Sequence, residues 1–459
     1  MRFRTTLRGE TFTFRDLRDV FAKANEEKSG DQLAGISARN EKERVAAKVV
    51  LADQSVADVV DYCFVDDDVS ALIAETRRMP GSLRALTFGE LRDYVLEPNF
   101  PTNWDREFRH VVTPEVAAGL AKIMGTKDLV LAASRLRVVT TCRNTQGADG
   151  TLGVRVQPNH PTDDVHGVVL SAIDGLRHGC GDAMLGVNPA NDDVGSVVRL
   201  LRGLHDLIEH VAVPTQSCVL SHVTTQIASL RRGAPVDLLF QSVAGTQGAN
   251  ASFGVTLELL REAREEVAAH HATRRDEFPG EHFMYFETGQ GTALSAEAHE
   301  GVDQLTLEAR AQAVAGAFDP FLVNTVVGFI GPEYLATARQ ITRAGLEDHF
   351  VGKLQGIPMG ADVCYTNHVD ADQNSNDELM LLLATAGCNF LMGVPAADDV
   401  MLHYQSTSFQ DVTATREILR RGPAPEFSTW LESQEWWRGP HTRSPRPLVG
   451  ELRRALGAP

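Results

Sequence analysis

The chain has 459 residues, 43% of them apolar, and a net charge of −17. That length exceeds one minimal domain and suits one large barrel with appendages, or two to three smaller domains. No basic run stands out, so no nucleic acid is expected as a partner. The longest apolar stretch, 379–395, is broken by Thr385, Gly387, Asn389 and Gly393, so no membrane span is expected either.

Residues 1–14 alternate weakly around Gly9 and predict a small hairpin. Helical patterns follow at 15–27, 41–52 and 55–62, and Pro98, Asn99, Pro101 and Asn103 mark a boundary near residue 100. After Met1 come charged residues rather than an apolar signal core, and Cys63, Cys142, Cys180, Cys218, Cys364 and Cys388 form no C-x-x-C pair. Reduced thiols in a cytoplasmic protein are the expectation.

From about residue 150 eight short apolar runs alternate with helical patterns: 153–158, 183–189, 215–222, 237–244, 283–288, 322–330, 356–364 and 389–395. In 163–179, Val165, Val168, Val169, Ala172, Ile173 and Leu176 share one helical face, and 195–211 repeats the pattern. Thr162–Asp164 and Asn191–Asp193 offer oxygens to the free N–H groups that open these two helices. Strand and helix in eightfold alternation predict an α/β fold, a (β/α)8 TIM barrel, against an open doubly wound sheet as the alternative. The expected organisation is a mainly helical N-terminal extension over 1–100, the barrel with its lead-in helices over 101–423, and a short tail over 424–459. The tail holds Trp430, Trp436 and Trp437, which call for a surface to cover, on the barrel or on a partner.

A barrel does its chemistry at the C-terminal ends of its strands. In the first run, Val154 and Val156 alternate with Arg155 and Gln157, so if the valines face the helices the polar pair faces the mouth. The second run carries Asn188 near its end, the fourth Gln241 and the fifth Glu287, and the seventh contains Asp362. Any one of these reads as a structural polar residue. Arg155, Glu287 and Asp362 on three strands of one ring do not, because an unpaired buried arginine costs several kcal/mol. Their charges sum to −1, so a ligand with one ammonium would neutralise the cluster, and Gln157 and Asn188 suit a hydroxyl. A small amino alcohol or amine fits. No phosphate loop, dinucleotide fingerprint or H-E-x-x-H pair is present, no metal site is expected, and His222 and His368 read as hydrogen-bonded structural residues. Lys353, ahead of the seventh run, reads as exposed and not as a Schiff-base lysine.

Several runs resemble the large subunit of ethanolamine ammonia-lyase. They include Arg155-Val156-Gln157-Pro158-Asn159, Gly186-Val187-Asn188-Pro189, His222-Val223-Thr224-Thr225-Gln226-Ile227 and Arg231-Arg232-Gly233-Ala234-Pro235. Tyr285-Phe286-Glu287-Thr288-Gly289-Gln290-Gly291, Val326-Val327-Gly328-Phe329-Ile330-Gly331-Pro332, Tyr365-Thr366-Asn367-His368 and Ala384-Thr385-Ala386-Gly387-Cys388-Asn389 extend the likeness, which runs to about residue 432. Segment 262–282 is longer than the family pattern. The resemblance implies adenosylcobalamin-dependent radical deamination of ethanolamine to acetaldehyde and ammonia, with the cofactor over the barrel mouth. It implies that Arg155, Gln157, Asn188, Glu287, Phe329 and Asp362 line the substrate pocket, with Arg155, Glu287 and Asp362 as the catalytic set. Asn188, Gln241, Ser295 and Met401 would contact the cofactor. It further implies a small partner subunit, in a hetero-oligomer built on large-subunit dimers, located in the cytoplasm or inside a bacterial microcompartment. The D-x-H-x-x-G run of proteins that put a histidine on the cobalt is absent: Asp164-Val165-His166-Gly167 begins it, but position 169 is Val169. Base-on cobalamin, its cobalt not ligated by this chain, is the implied state. Two alternatives remain. A cobalamin-dependent barrel lyase or mutase acting on a diol or amino acid fits the charge count less well, and a non-catalytic assembly subunit would not need Arg155 and Glu287.

Overall fold

A computed structural model describes residues 3–274, 280–328, 331 and 333–434. Its centre is one sheet of eight parallel strands: β1 (Gly153–Val156), β2 (Met184–Val187), β3 (Ser217–Val219), β4 (Leu239–Ser242), β5 (Met284–Thr288), β6 (Pro320–Val327), β7 (Met359–Val363) and β8 (Phe390–Gly393). The ladder order is β3-β2-β1-β8-β7-β6-β5-β4. The remaining gap, β3 to β4, is bridged at one end, where Leu238 N–H donates to the Ser217 carbonyl at 3.2 Å. There the Asp237 carboxylate accepts from Ser217 N and Oγ at 2.9 and 3.1 Å. The sheet is therefore a nearly closed barrel, and each of the eight apolar runs supplies one strand.

The main crossover helices are α1 (Val165–Arg177), α2 (Val194–Val211), α3 (Val223–Arg231), α4 (Leu257–Thr273), α5 (Gln304–Gly316), α6 (Ala338–Leu354), α7 (Gln373–Thr385) and α8 (Phe409–Leu419). The caps of α1 and α2 are Asp164 and Asp193, which accept from Gly167 N and Ser196 N. The neighbouring acids do other work: Asp163 accepts from Ala190 N and Asn191 N, and Asp192 from His222 N. These bonds tie together the loops that follow β1, β2 and β3.

The hairpin pairs Arg4–Leu7 with Glu10–Thr13. The helices after it cover one flank of the barrel, with Pro114–Lys122 packed on both α5 and α6. This explains why α5 has no amphipathic face: every residue from Gln304 to Ala315 is buried. Buried ion pairs join the layers, among them Lys28 to Glu347 at 2.7 Å and Arg310 to Glu115 at 2.7 Å. Such pairs are unforgiving, because removing one partner strands the other charge.

Lys353 departs from expectation. It lies on the last turn of α6, 2% exposed, and its Nζ donates to the Gly387 carbonyl at 2.8 Å. Burial lowers its pKa to about 8. It stands at the C-terminal end of a barrel helix, opposite the mouth, so it offers no Schiff-base chemistry there. Of the tail, Pro425–Ser433 is a helix whose Trp430 donates from Nε1 to the Val211 carbonyl at 2.9 Å. Trp436 and Trp437 lie outside the described residues.

Candidate active site

Strand alternation sends Val154 and Val156 outward, where Val156 meets α1 beside Gly175, and sends Arg155 inward. The Arg155 side chain is fully buried. Gly186 on the neighbouring strand leaves it room, since a Cβ there would sit 2.9 Å from Arg155 Nε. Arg155 Nη1 donates to Glu287 Oε1 at 2.5 Å and to the Tyr285 hydroxyl at 2.7 Å, and Nη2 donates to Gln157 Oε1 at 2.6 Å. The guanidinium carbon stands 5.4 Å from the centre of the Tyr285 ring. Burial alone would lower the Arg155 pKa, but Tyr285, Glu287 and Tyr404 together raise it, so the cation is locked in.

Glu287 closes β5. Its Oε1 accepts three bonds, from Arg155, from the Tyr285 hydroxyl at 3.0 Å and from Asn324 Nδ2 at 3.3 Å. Its other oxygen accepts none from the described residues, and the side chain keeps 17% exposure. That oxygen is left with capacity to accept a further bond. Asp362, on β7 and 1% exposed, accepts from the Tyr404 hydroxyl at 2.8 Å and from Ser406 Oγ at 2.7 Å. Burial raises its pKa to about 6, against the opposing pull of those two bonds and of Arg155.

Gln157 joins the two carboxylate corners. Its Oε1 accepts from Arg155 and from Asn188 Nδ2 at 2.7 Å. Its Nε2 donates to the Tyr404 hydroxyl at 3.0 Å and to Asp399 Oδ2 at 2.7 Å. Arg155, Gln157, Asn188 and Glu287 thus form one bonded cluster, with Asp362 linked to it through Tyr404. Phe329 lies outside the described residues.

Tyr285, Asn324, Asp399, Tyr404 and Ser406 each bond one of these residues and were not singled out from sequence. Tyr285 and Asn324 share the inward parity of Glu287 on adjacent strands, so a polar side chain inside an apolar run was a usable signal. Asp399 and Tyr404 lie in the irregular loop after β8, where no periodicity exists to be read. Asp399 also revises the charge count. A third buried carboxylate takes the cluster to −2, although its bonded partners are all neutral N–H donors.

The remaining predicted residues ring the same mouth. Asn188 follows β2, Gln241 is in β4, Ser295 ends the short helix Thr292–Ser295 after β5, and Met401 lies after β8. Ser295 is exposed, Asn188 and Met401 are half-buried. The Gln241 amide is partly committed, accepting from Val223 N at 3.0 Å and donating to the Ser242 carbonyl at 3.1 Å. His222 is held by Thr224 Oγ1 at 2.7 Å and the Phe253 carbonyl at 3.0 Å, as a structural histidine should be.

Residues 12–442 match the family model described as ethanolamine ammonia lyase large subunit. The ethanolamine ammonia-lyase large subunit of Escherichia coli (strain K12) is 48% identical over 438 residues, 94% of this chain and 96% of that protein. The Salmonella typhimurium protein of the same name matches with the same identity and the same shares. A truncated 3-deoxy-D-arabino-heptulosonate 7-phosphate synthase from Thermotoga maritima aligns at TM-score 0.37 and 9% identity over 61% of this chain and 91% of that chain, too low a likeness to argue from. With a buried cation-carboxylate cluster at the mouth of its barrel and near-full-length relatives of one name, the chain belongs to the ethanolamine ammonia-lyase large-subunit family of carbon–nitrogen lyases.

Proposed function

We propose that this chain is the catalytic subunit of a two-subunit lyase that converts ethanolamine to acetaldehyde and ammonia by adenosylcobalamin-dependent radical chemistry. The observation that carries the reading is the Glu287 oxygen that accepts no bond from the described residues, while its other oxygen is braced by Arg155. The ammonium binds between Glu287 and Asp362, and the hydroxyl takes over one of the bonds of Gln157. Arg155 steadies the nitrogen as it leaves or migrates, keeping its bond to Glu287. Phe329 completes the proposed pocket. The barrel wall excludes water from the reacting carbons.

The rim fits the cofactor by chemistry. Asn188, Gln241, Ser295 and Met401 offer uncharged amide, hydroxyl and thioether groups, suited to a large macrocycle fringed with amides. When bound, adenosylcobalamin supplies the radical that takes hydrogen from the carbinol carbon. In this reading it is base-on, with the cobalt not ligated by this chain, and a small subunit encloses its far side. The assembly is a hetero-oligomer built on large-subunit dimers, in the cytoplasm or inside a microcompartment. The test is ammonia release by the co-expressed, purified complex given ethanolamine and adenosylcobalamin.

The isolated chain is expected to be a poor enzyme. Val400, next to Met401 in the loop after β8, is 55% exposed, an apolar side chain left for a partner to cover. Adding the small subunit should restore turnover, and full cobalamin-dependent activity of the chain alone would contradict the two-subunit reading.

The Asp362 shift sets a pH dependence. Its carboxyl titrates near 6 in the folded protein. Below that pH it takes a proton and no longer attracts an ammonium. The kcat/KM for ethanolamine should fall about tenfold per pH unit below 6, as expected for one required ionisation in the free enzyme. The stability effect has the opposite sign. A carboxyl whose folded pKa is raised favours the fold at low pH, and that contribution is lost as pH rises through 6. A kcat/KM that is flat down to pH 5 would exclude Asp362 from ammonium binding.

A further inference from the structure

We propose that Asp399 is the positioning residue that fixes which end of the Gln157 amide faces the substrate and couples it to the cofactor-side loop holding Met401. This inference rests on the function proposed above. Asp399 is 2% exposed, in the loop between β8 and α8. Its two oxygens face different partners. Oδ2 accepts from Gln157 Nε2 and from Asn159 Nδ2, both at 2.7 Å. Oδ1 accepts from the backbone N–H of Met401 at 3.0 Å and of Leu402 at 2.5 Å. The main chain closes the same turn, with Asp399 N donating to the Tyr404 carbonyl and His403 N to the Asp399 carbonyl, each at 3.1 Å. Ala396, Ala397 and His403 hold positive φ, a conformation that non-glycine residues keep where surrounding structure enforces it.

The two ends of an amide are nearly the same shape, so only partners can choose between them. Around Gln157 the choice is forced from two sides. A carboxylate only accepts, so Asp399 demands the Nε2 end. Arg155 and Asn188 donate, so they demand the Oε1 end. A flipped Gln157 would set its oxygen against the Asp399 carboxylate and its NH2 against two donors. Asn159 completes the frame: its Oδ1 accepts from Asn188 N at 2.8 Å, so the same carboxylate also anchors the start of the Asn188 loop.

This geometry predicts that two substitutions separate the two halves of the role. Asp399→Asn keeps an oxygen for the Met401 and Leu402 N–H groups but turns an NH2 toward Gln157 and Asn159, a donor against donors. Asp399→Ala removes both halves. The experiment uses the complex with the small subunit and reads three quantities: KM and kcat for ethanolamine, adenosylcobalamin affinity by visible-spectrum titration, and thermal unfolding. Asp399→Asn should raise KM about tenfold, the scale of a lost hydrogen bond to a charged group, with cobalamin affinity unchanged. Asp399→Ala should weaken cobalamin binding as well. In a Gln157→Ala background, Asp399→Asn should add little, because the group it acts through is gone. Equal KM effects with and without Gln157, or unchanged KM in the single variant, would overturn the inference while leaving the proposed function intact. No ammonia release by the wild-type complex would instead overturn the function, and this inference with it. A variant that unfolds early is identified by its thermal transition, and the Asp399→Asn cobalamin titration then decides the loop half alone: weakened binding overturns it.

Discussion

Replacing Arg155 by alanine should cut ammonia release by two to three orders of magnitude or more. The change leaves the half-buried Glu287 beside the Tyr285 hydroxyl and Asn324, with no cation bonded to it. Removing one partner of a buried pair costs about 3–5 kcal/mol, and each 1.4 kcal/mol is a factor of ten. Lysine should retain some activity. Its ammonium reaches one or two of the three oxygens that Arg155 now bonds, and it lacks the planar fork that braces Glu287, Tyr285 and Gln157 together. Guanidinium, added below denaturing concentration, should partly rescue the alanine variant by occupying the vacated volume with the same charge and shape. The assay is a guanidinium titration of ammonia release. A wild-type rate for Arg155→Ala without additive would make Arg155 structural and move the pocket elsewhere.

Glu287→Gln should fold and lose most of its catalytic efficiency. The amide oxygen can still accept from Arg155 Nη1, which preserves the packing, but the oxygen that faced the ligand becomes an NH2 or loses its charge. An ammonium then enters beside an arginine with the nearest carboxylate charge gone and Asp362 left to attract it. The loss should be of order several kcal/mol, about 10² to 10³ in kcat/KM. Thermal unfolding of the variant checks the fold, and steady-state kinetics of the complex checks the site. Near-normal kcat/KM would remove Glu287 from the proposed mechanism.

The two predictions draw on different amounts of foresight. Arg155 and Glu287 stood out because strands impose a two-residue period: a charge at an inward position of an apolar run has to be answered. The period also identified Gln157 as the companion of Arg155. It gave no access to Asp399 or Tyr404, which lie 37 and 42 residues beyond Asp362, the nearest candidate strand residue, in a loop where no strand or helix period can be read. The count of −1 for the site was therefore short by one carboxylate. Lys353 was misread for a related reason. Its exposure depends on what covers the C-terminal end of α6, and lysines at helix ends are usually solvated.

By itself the sequence determined the eightfold strand–helix alternation, the ordering of the apolar runs, the parity of Arg155, Gln157 and Glu287, and the family. Each of these is written locally, in periods of 2 and 3.6 residues or in contiguous motifs. Only the tertiary structure decided which strands meet at the gap between β3 and β4, why α5 is apolar on every side, and which donors saturate Asp399. Those depend on side chains brought together across more than a hundred residues of chain, as Gln157 and Asp399 are. A buried hydrogen-bond network is satisfied by partners in space, and nothing in the local alternation of residues names them.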